Sequence, residues 1–277
     1  MDLSKLTYSK NDSRLTPEPP VLQPIAKNEE DGLVHESSSV APAYQKSEGV
    51  LSTSLIFVLS GGEKKEKDFL RELILKRELR SLRVVFMSEK GQGLQPYQMQ
   101  EKWEQIQLTG DIKIESQLFH LDAMDKVFLL SDVDEFHNQL VKIFKGIQNE
   151  TQGKWIISNP CFEIWLYYCY LNNPEKDLEC LKAEPAANRS KKMKAMGNAL
   201  VNGGLNPCLA FENMLDGIEH SIAHYAEDDC MVPVLYATQM YEMAQYLVDA
   251  MTRNADEYSK FVRKKEEWRE HMKRYTK

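Results

Sequence analysis

Lys126-Val127-Phe128-Leu129-Leu130-Ser131 runs straight into Asp132-Val133-Asp134-Glu135, and this junction of an apolar run with an acidic turn decides how the chain is read. An unbroken apolar run of this length reads as a strand buried on both faces, as in a parallel sheet. Ligand sites of open α/β sheets lie at the carboxyl ends of their strands, which is where Asp132 and Asp134 fall. Two close carboxylates repel each other unless a cation or a basic group offsets them. Hard oxygen donors of this kind suit magnesium or manganese. The plainer alternative is local: Asp132 caps the following helix and Asp134 sits in its first turn.

Working outward, strand and helix signals alternate on both sides of this junction. Upstream, Leu55–Leu59 forms an apolar strand that ends in Ser60-Gly61-Gly62. A helix follows from Glu63, with Phe69, Leu70, Leu73 and Ile74 as its apolar stripe. Two glycines between strand and helix allow a tight turn, but no Walker or GxGxxG pattern is present. Glu63 and Glu66 also suit a helix N-terminus through its dipole alone. A second strand, Leu82–Met87, leads through a glycine-containing loop into a helix over about 97–108 that buries Trp103. A short polar insertion then precedes the central strand.

Downstream, a helix is predicted over about 135–149 and a fourth strand at Trp155–Ile157. That strand enters Ser158-Asn159-Pro160-Cys161-Phe162-Glu163-Ile164-Trp165-Leu166. Proline favours the first helical position, which would make Asn159 the cap. Glu163 is one residue too late to be a capping-box acid. An acid among Phe162, Ile164, Trp165 and Leu166 is expected to be partly buried and to have a partner or a task.

The rest reads as helical. Asn188-Arg189-Ser190-Lys191-Lys192-Met193-Lys194 is a basic cluster whose Lys191, Lys192 and Lys194 could meet phosphates, or simply form a solvated face. Helices are expected over about 209–225 and 233–251. His220 and His224 share a helix face, but HSIAH lacks the glutamate of a zinc protease. The tail over 258–277 is expected to be a charged amphipathic helix. Residues 1 to about 50 hold five prolines, a serine cluster and no hydrophobic period, so they read as a disordered leader.

The net charge of −7 argues against the whole surface being a generic binder of nucleic acid, so any such contact must come from a local basic patch. Five cysteines without a CxxC pair fit a reduced, cytoplasmic setting. No apolar run approaches the ~18 residues of a membrane span. Together these features predict a mostly parallel α/β sheet with helices on both faces and a helical C-terminal subdomain, divided as 1–50, 51–172 and 173–277. Right-handed crossovers should bring the Gly61-Gly62 turn, the Asp132/Asp134 pair and the Ser158-Asn159-Pro160 turn to one rim.

A strand into a Gly-containing acidic turn, a strand into DxD and a strand into SNPCFEIWL together resemble the RloB-like family, a Toprim-related group found in bacterial defence loci, often beside an ATPase. The resemblance is good over about 55–170 and loose beyond. It implies a Toprim-like fold and a magnesium- or manganese-dependent nuclease subunit acting on nucleic acid in antiviral defence. It also implies an AAA- or ABC-type ATPase partner, and a homo-oligomer is a further expectation. Asp132 and Asp134 match the metal-binding DxD, and Glu163 matches the acid of the SNP segment. The family pattern at the first strand is approximately EGxxTE. Gly62 and Glu66 match it, whereas Gly61 stands where the first catalytic acid belongs and Lys65 where the threonine belongs. Either Glu63 or Glu66 therefore supplies the missing acid, or the protein is a catalytically inactive scaffold.

Overall fold

The computed structural model describes residues 43–44, 54–75, 82–88, 93–114, 117–146 and 153–256. Four parallel strands form the main sheet. They are β2 (Ser54–Ser60), β3 (Leu82–Met87), β6 (Lys126–Asp132) and β7 (Gly153–Ser158), in the order β3-β2-β6-β7. The two central strands are apolar on both faces because both faces are covered. Ile56, Val58, Phe128, Leu130 and Ile156 enter one core, and Leu55, Phe57, Leu59, Val127, Leu129 and Ile157 enter the other. The expected α/β architecture is the one observed.

The second of these cores is closed by α3 (Pro96–Thr109), α4 (His137–Gly146) and a small hairpin, β4 (Asp111–Ile114) with β5 (Gln117–His120). Helix α3 begins at Pro96 behind a capping box in which the Gln95 amide donates to Gln98 Oε1 (2.8 Å). It ends at Gly110, which is left-handed at φ 71°. Its Trp103 is buried against Gly153. The hairpin replaces the polar insertion expected from sequence. Each of its strands contributes only one fully buried apolar residue, Ile112 or Phe119, so neither carries a visible period. Within the segment read as leader, β1 (Ala43–Tyr44) pairs in parallel with Leu118–Phe119 of this hairpin. The rest of the leader and the 258–277 tail lie outside the described residues, as does the far end of the helix predicted to reach 149.

The first core is larger and is covered by helices from both ends of the chain. Here lie α1 (Lys65–Phe69), α2 (Arg71–Leu75), α5 (Glu163–Tyr168), α8 (Pro207–Glu212), α9 (Met214–Ala223) and a last helix, α10, over 240–256. In α10, Met240, Met243, Ala244, Leu247 and Met251 recur at helical spacing and are buried. Between α5 and α8 come α6 (Pro174–Asp177), a 3-10 turn at Glu179–Leu181 and α7 (Ala186–Leu200).

Several boundaries differ from the expectations. The helix expected from Glu63 starts at Lys65 and is broken at Leu70 into α1 and α2. The helix expected over 209–225 is broken at Asn213 into α8 and α9. The helix expected from 233 begins only at 240, because the preceding residues satisfy the open edge of β7. Gln239 N donates to Ile157 O (2.8 Å), Ile157 N donates to Gln239 Oε1 (2.9 Å), and Thr238 bridges Ser158. An exposed strand edge needs such partners. Asn159 is not a helix cap: the Asn159–Pro160 bond is cis and α5 starts at Glu163. Asn159 instead holds the incoming loop, through its N–H to Ala237 O, its carbonyl from Tyr236 N and its side-chain amide to Pro233 O.

Candidate acidic site at the strand ends

The carboxyl ends of β2, β6 and β7 meet at one rim, and side chains from three elements converge there. Asp132, the last residue of β6, pairs across the ladder with Ser158. Its Oδ1 accepts a hydrogen bond from the amide of Phe162 (2.8 Å), so it caps the start of α5 across the rim and not the helix that follows it in sequence. Glu66 reaches the rim from the first turn of α1 and is buried. It gets there because Gly62 has no side chain: a Cβ at Gly62 would lie 1.9 Å from Glu66 Oε1. Gly62, Glu66, Asp132, Ser158, Phe162 and Met240 all line one narrow pocket.

Glu163 opens α5 and is 3% exposed. Its Oε1 lies 2.9 Å from Lys65 Nζ, while its Oε2 is buried with no hydrogen-bond partner. Asp134 lies just beyond Asp132 with a positive φ of 29°, its amide donating to Pro160 O (3.2 Å). It is partly buried near Ser190 of α7. Glu63 is exposed. Of the two acids that could replace the one absent at Gly61, it is Glu66 that enters the pocket.

Crowding of like charges in a poorly solvated place sets the electrostatics. Burial, with Glu163 adding repulsion, pushes Glu66 up to about 7. Burial and then Glu66 and Glu163 raise Asp132 well above the carboxylate range. Asp134 is raised as well, chiefly by burial, against a lowering hydrogen bond from Ser190. Cys161 beside them is pushed up by burial and then by Glu163 and Asp132, so it remains a neutral thiol.

The three lysines of the basic segment do not form one patch. On Lys194, burial acts to lower its basicity, and the surrounding Glu163, Asp132 and Glu66 more than offset it. Lys192 points to Glu184 (3.7 Å) and Lys191 is exposed. The rim thus gathers Glu66, Asp132, Glu163 and Lys194, with Asp134 and Lys65 at its margin. Sequence reasoning passed over Lys65 as a site residue. Its signal was present in the turn, where Lys65 and Lys67 flank Glu66. His220 and His224 are occupied elsewhere. His220 Nδ1 lies 2.8 Å from Tyr168 O, and the His224 ring stacks on Tyr168 with Nε2 3.0 Å from Asn172 Oδ1.

Among the described residues, no group of three or more His, Cys, Asp and Glu side chains is arranged to hold a metal ion. Magnesium requires less, since it is commonly held by one or two carboxylates and keeps several waters. Glu66 and Asp132, which line the same pocket, form such a pair. The unpartnered Oε2 of Glu163 is a further hard donor nearby. A cation here would also offset the burial and the mutual repulsion that raise these acids. The donor chemistry therefore fits magnesium or manganese.

Gly61 has its own steric surroundings. A Cβ there would lie 3.2 Å from Leu94 O and 3.4 Å from Leu130 O, under the loop that carries Gly93. No helix among the described residues is long and apolar enough to cross a membrane. In comparison with known proteins, the family model described as RloB-like protein matches residues 56–276. No curated protein and no solved structure matches.

Proposed function

The chain belongs to the RloB-like family, and from that premise we propose that it is a magnesium- or manganese-dependent phosphodiesterase subunit that cuts nucleic acid in an antiviral defence complex driven by an ATPase partner. The observation that carries this reading is the convergence of Glu66 and Asp132 in one pocket at the ends of parallel strands, with Glu163 beside them. Asp132 and Glu66 would hold the cation, with Asp134 supporting them from the next turn. The cation would supply Lewis-acid stabilisation of charge on the scissile phosphate.

The remaining chemistry belongs to the protein's own side chains. Glu66, raised to about 7 by burial when no cation is present, would release its proton on meeting one and serve as an anionic ligand. The amide of Phe162 fixes the Asp132 carboxylate, so that its free oxygen faces a constant direction. Lys194 brings positive charge to the rim, and exposed Lys191 one turn earlier extends it along α7 toward a phosphate backbone.

Two features favour the second reading, an inactive scaffold for the ATPase: glycine at position 61 and the ion pair that neutralises Glu163. One experiment separates them. The purified protein, alone and with its ATPase partner, is assayed on single- and double-stranded DNA and RNA with magnesium or manganese. Cleavage that Asp132→Asn abolishes supports the nuclease. Asp132→Asn that still gives full protection in a phage challenge establishes the scaffold.

A further inference from the structure

The ion pair between Lys65 and Glu163 places a cation where the acidic cluster would receive one. Lys65 is the residue just before Glu66, at the start of α1, and its ammonium stands 2.9 Å from Glu163 Oε1. The two partners differ in their relation to solvent: the Lys65 side chain is 39% exposed and that of Glu163 is 3% exposed. The lysine therefore reaches inward from the surface to a buried carboxylate, and it can leave by rotating its stem. Glu163 has no such freedom. Its second oxygen, Oε2, is buried without a partner, so the pair satisfies only half of the carboxylate. The Lys65 charge also acts on Glu66, which lines the pocket.

A divalent ion held by Asp132 and Glu66 would stand beside the ammonium on Glu163, and like charges a few ångströms apart in a poorly solvated place repel strongly. We propose that Lys65 is a tethered counter-ion, holding Glu163 while the cluster has no metal, displaced when a divalent cation enters, and then free to meet a phosphate of the substrate. This rests on the reading of the cluster as a cation site. It has a consequence for binding order. Anything that draws Lys65 outward, such as a polyanion lying along the rim, strengthens cation binding, and the cation reciprocally strengthens polyanion binding. The bare protein then binds its cation weakly until nucleic acid arrives.

The test measures manganese binding to the full-length protein, without nucleic acid, by titration calorimetry or by the loss of the free-ion paramagnetic signal. Wild type is compared with Lys65→Met, Lys65→Gln, Lys65→Arg and Asp132→Asn, each checked by thermal melting. Lys65→Gln keeps a hydrogen-bond donor toward Glu163, so it gives the reading if Lys65→Met does not fold. The expected result is binding about tenfold tighter in Lys65→Met and Lys65→Gln, from removal of one charge-assisted competitor. Lys65→Arg should behave like wild type and Asp132→Asn should bind no metal. If the neutral variants bind no tighter than wild type while Asp132→Asn loses binding, the cation site stands and the role of Lys65 is overturned. Manganese bound by the neutral variants but undetected in wild type would also support the counter-ion, because the bare native chain is expected to bind its cation weakly. No binding in any variant overturns both.

Discussion

At the scale of single residues, the site depends as much on missing side chains as on charged ones. Glu66 lies over Gly62 so closely that even a methyl group would displace its carboxyl. Because the far end of a flexible side chain can move, Gly62→Ala should cost little stability, under about 1 kcal/mol. It should nevertheless lower divalent-ion affinity and any nuclease activity by about tenfold or more, by evicting Glu66. Melting curves and manganese titration on the same sample check both halves of that statement. Glu66 also predicts a pH dependence. Its carboxyl is raised from an ordinary 4.5 to about 7. The folded state thus binds its proton more tightly than the unfolded chain does, and the stability from that proton is complete below about 4.5 and lost as pH rises through about 7. Glu66→Gln mimics the protonated form at every pH. Without metal, the variant should be more stable than wild type above pH 7, and the gap should shrink steadily toward pH 4.5. Chemical denaturation at a series of pH values reads this directly. A gap that stays constant would mean that Glu66 is not raised by the cluster.

Among the elements, the sequence showed most where one residue pattern maps onto one strand or helix. Leu55–Leu59 and the run before Asp132 are apolar because both of their faces are covered, and with the less buried edge strand Leu82–Met87 they are parallel strands of one sheet. Helix α3 was legible over about 97–108 with Trp103 on its packed face, close to its observed span Pro96–Thr109. What could not be read were elements defined by distant partners. The β4–β5 hairpin shows almost no pattern of its own. The 233–239 segment follows the edge of β7, a fact no local spacing announces. Asn159-Pro160 carries a helix-start signature, yet the Asn159 side chain is committed to Pro233. The Gly91-Gln92-Gly93 loop was read as a connector, but Gly93 is fixed by tertiary contact. Its φ is +69°, and a Cβ would fall 1.6 Å from Gly61 O, a backbone atom that cannot swing away. Gly93→Ala should therefore destabilise by roughly 2–3 kcal/mol or more. Gly61→Ala, whose Cβ would meet Leu94 O at 3.2 Å, should be distinctly milder. Urea midpoints of the two variants decide the order. Equal midpoints would mean that the loop does not close on the strand end in solution.

For the molecule as a whole, the candidate site was legible in its residue types and rim position but not in its membership. Asp132, Glu66 and Glu163 come together because three parallel strands end at one edge, a consequence of strand order. Lys194 joins them only through the packing of α7, which no sequence spacing reports, whereas Lys65 arrives beside Glu66 at the start of α1. The C-terminal helices pack directly on the sheet, with Met240, Met243 and Leu247 in the same cluster as Val58, Phe128 and Ile156. The opposite case is the N-terminal fifty residues. Among the described residues, Ala43–Tyr44 pair with Leu118–Phe119 at the edge of a small hairpin, in a sheet separate from the one that ends at the acidic rim. Phe119 itself is anchored independently, edge-on to Phe57 with ring centroids 5.6 Å apart. Deleting the chain up to Ser52 should therefore leave the core, the rim and manganese binding unchanged, and lower the melting temperature by no more than about 4 °C. A truncated protein that is insoluble, or that melts more than about 10 °C below the full chain, would show that the segment covers part of the second core. On the proposed function, unchanged melting with lost protection against phage would instead assign it to recruiting the proposed ATPase partner, because the acidic rim would still be intact.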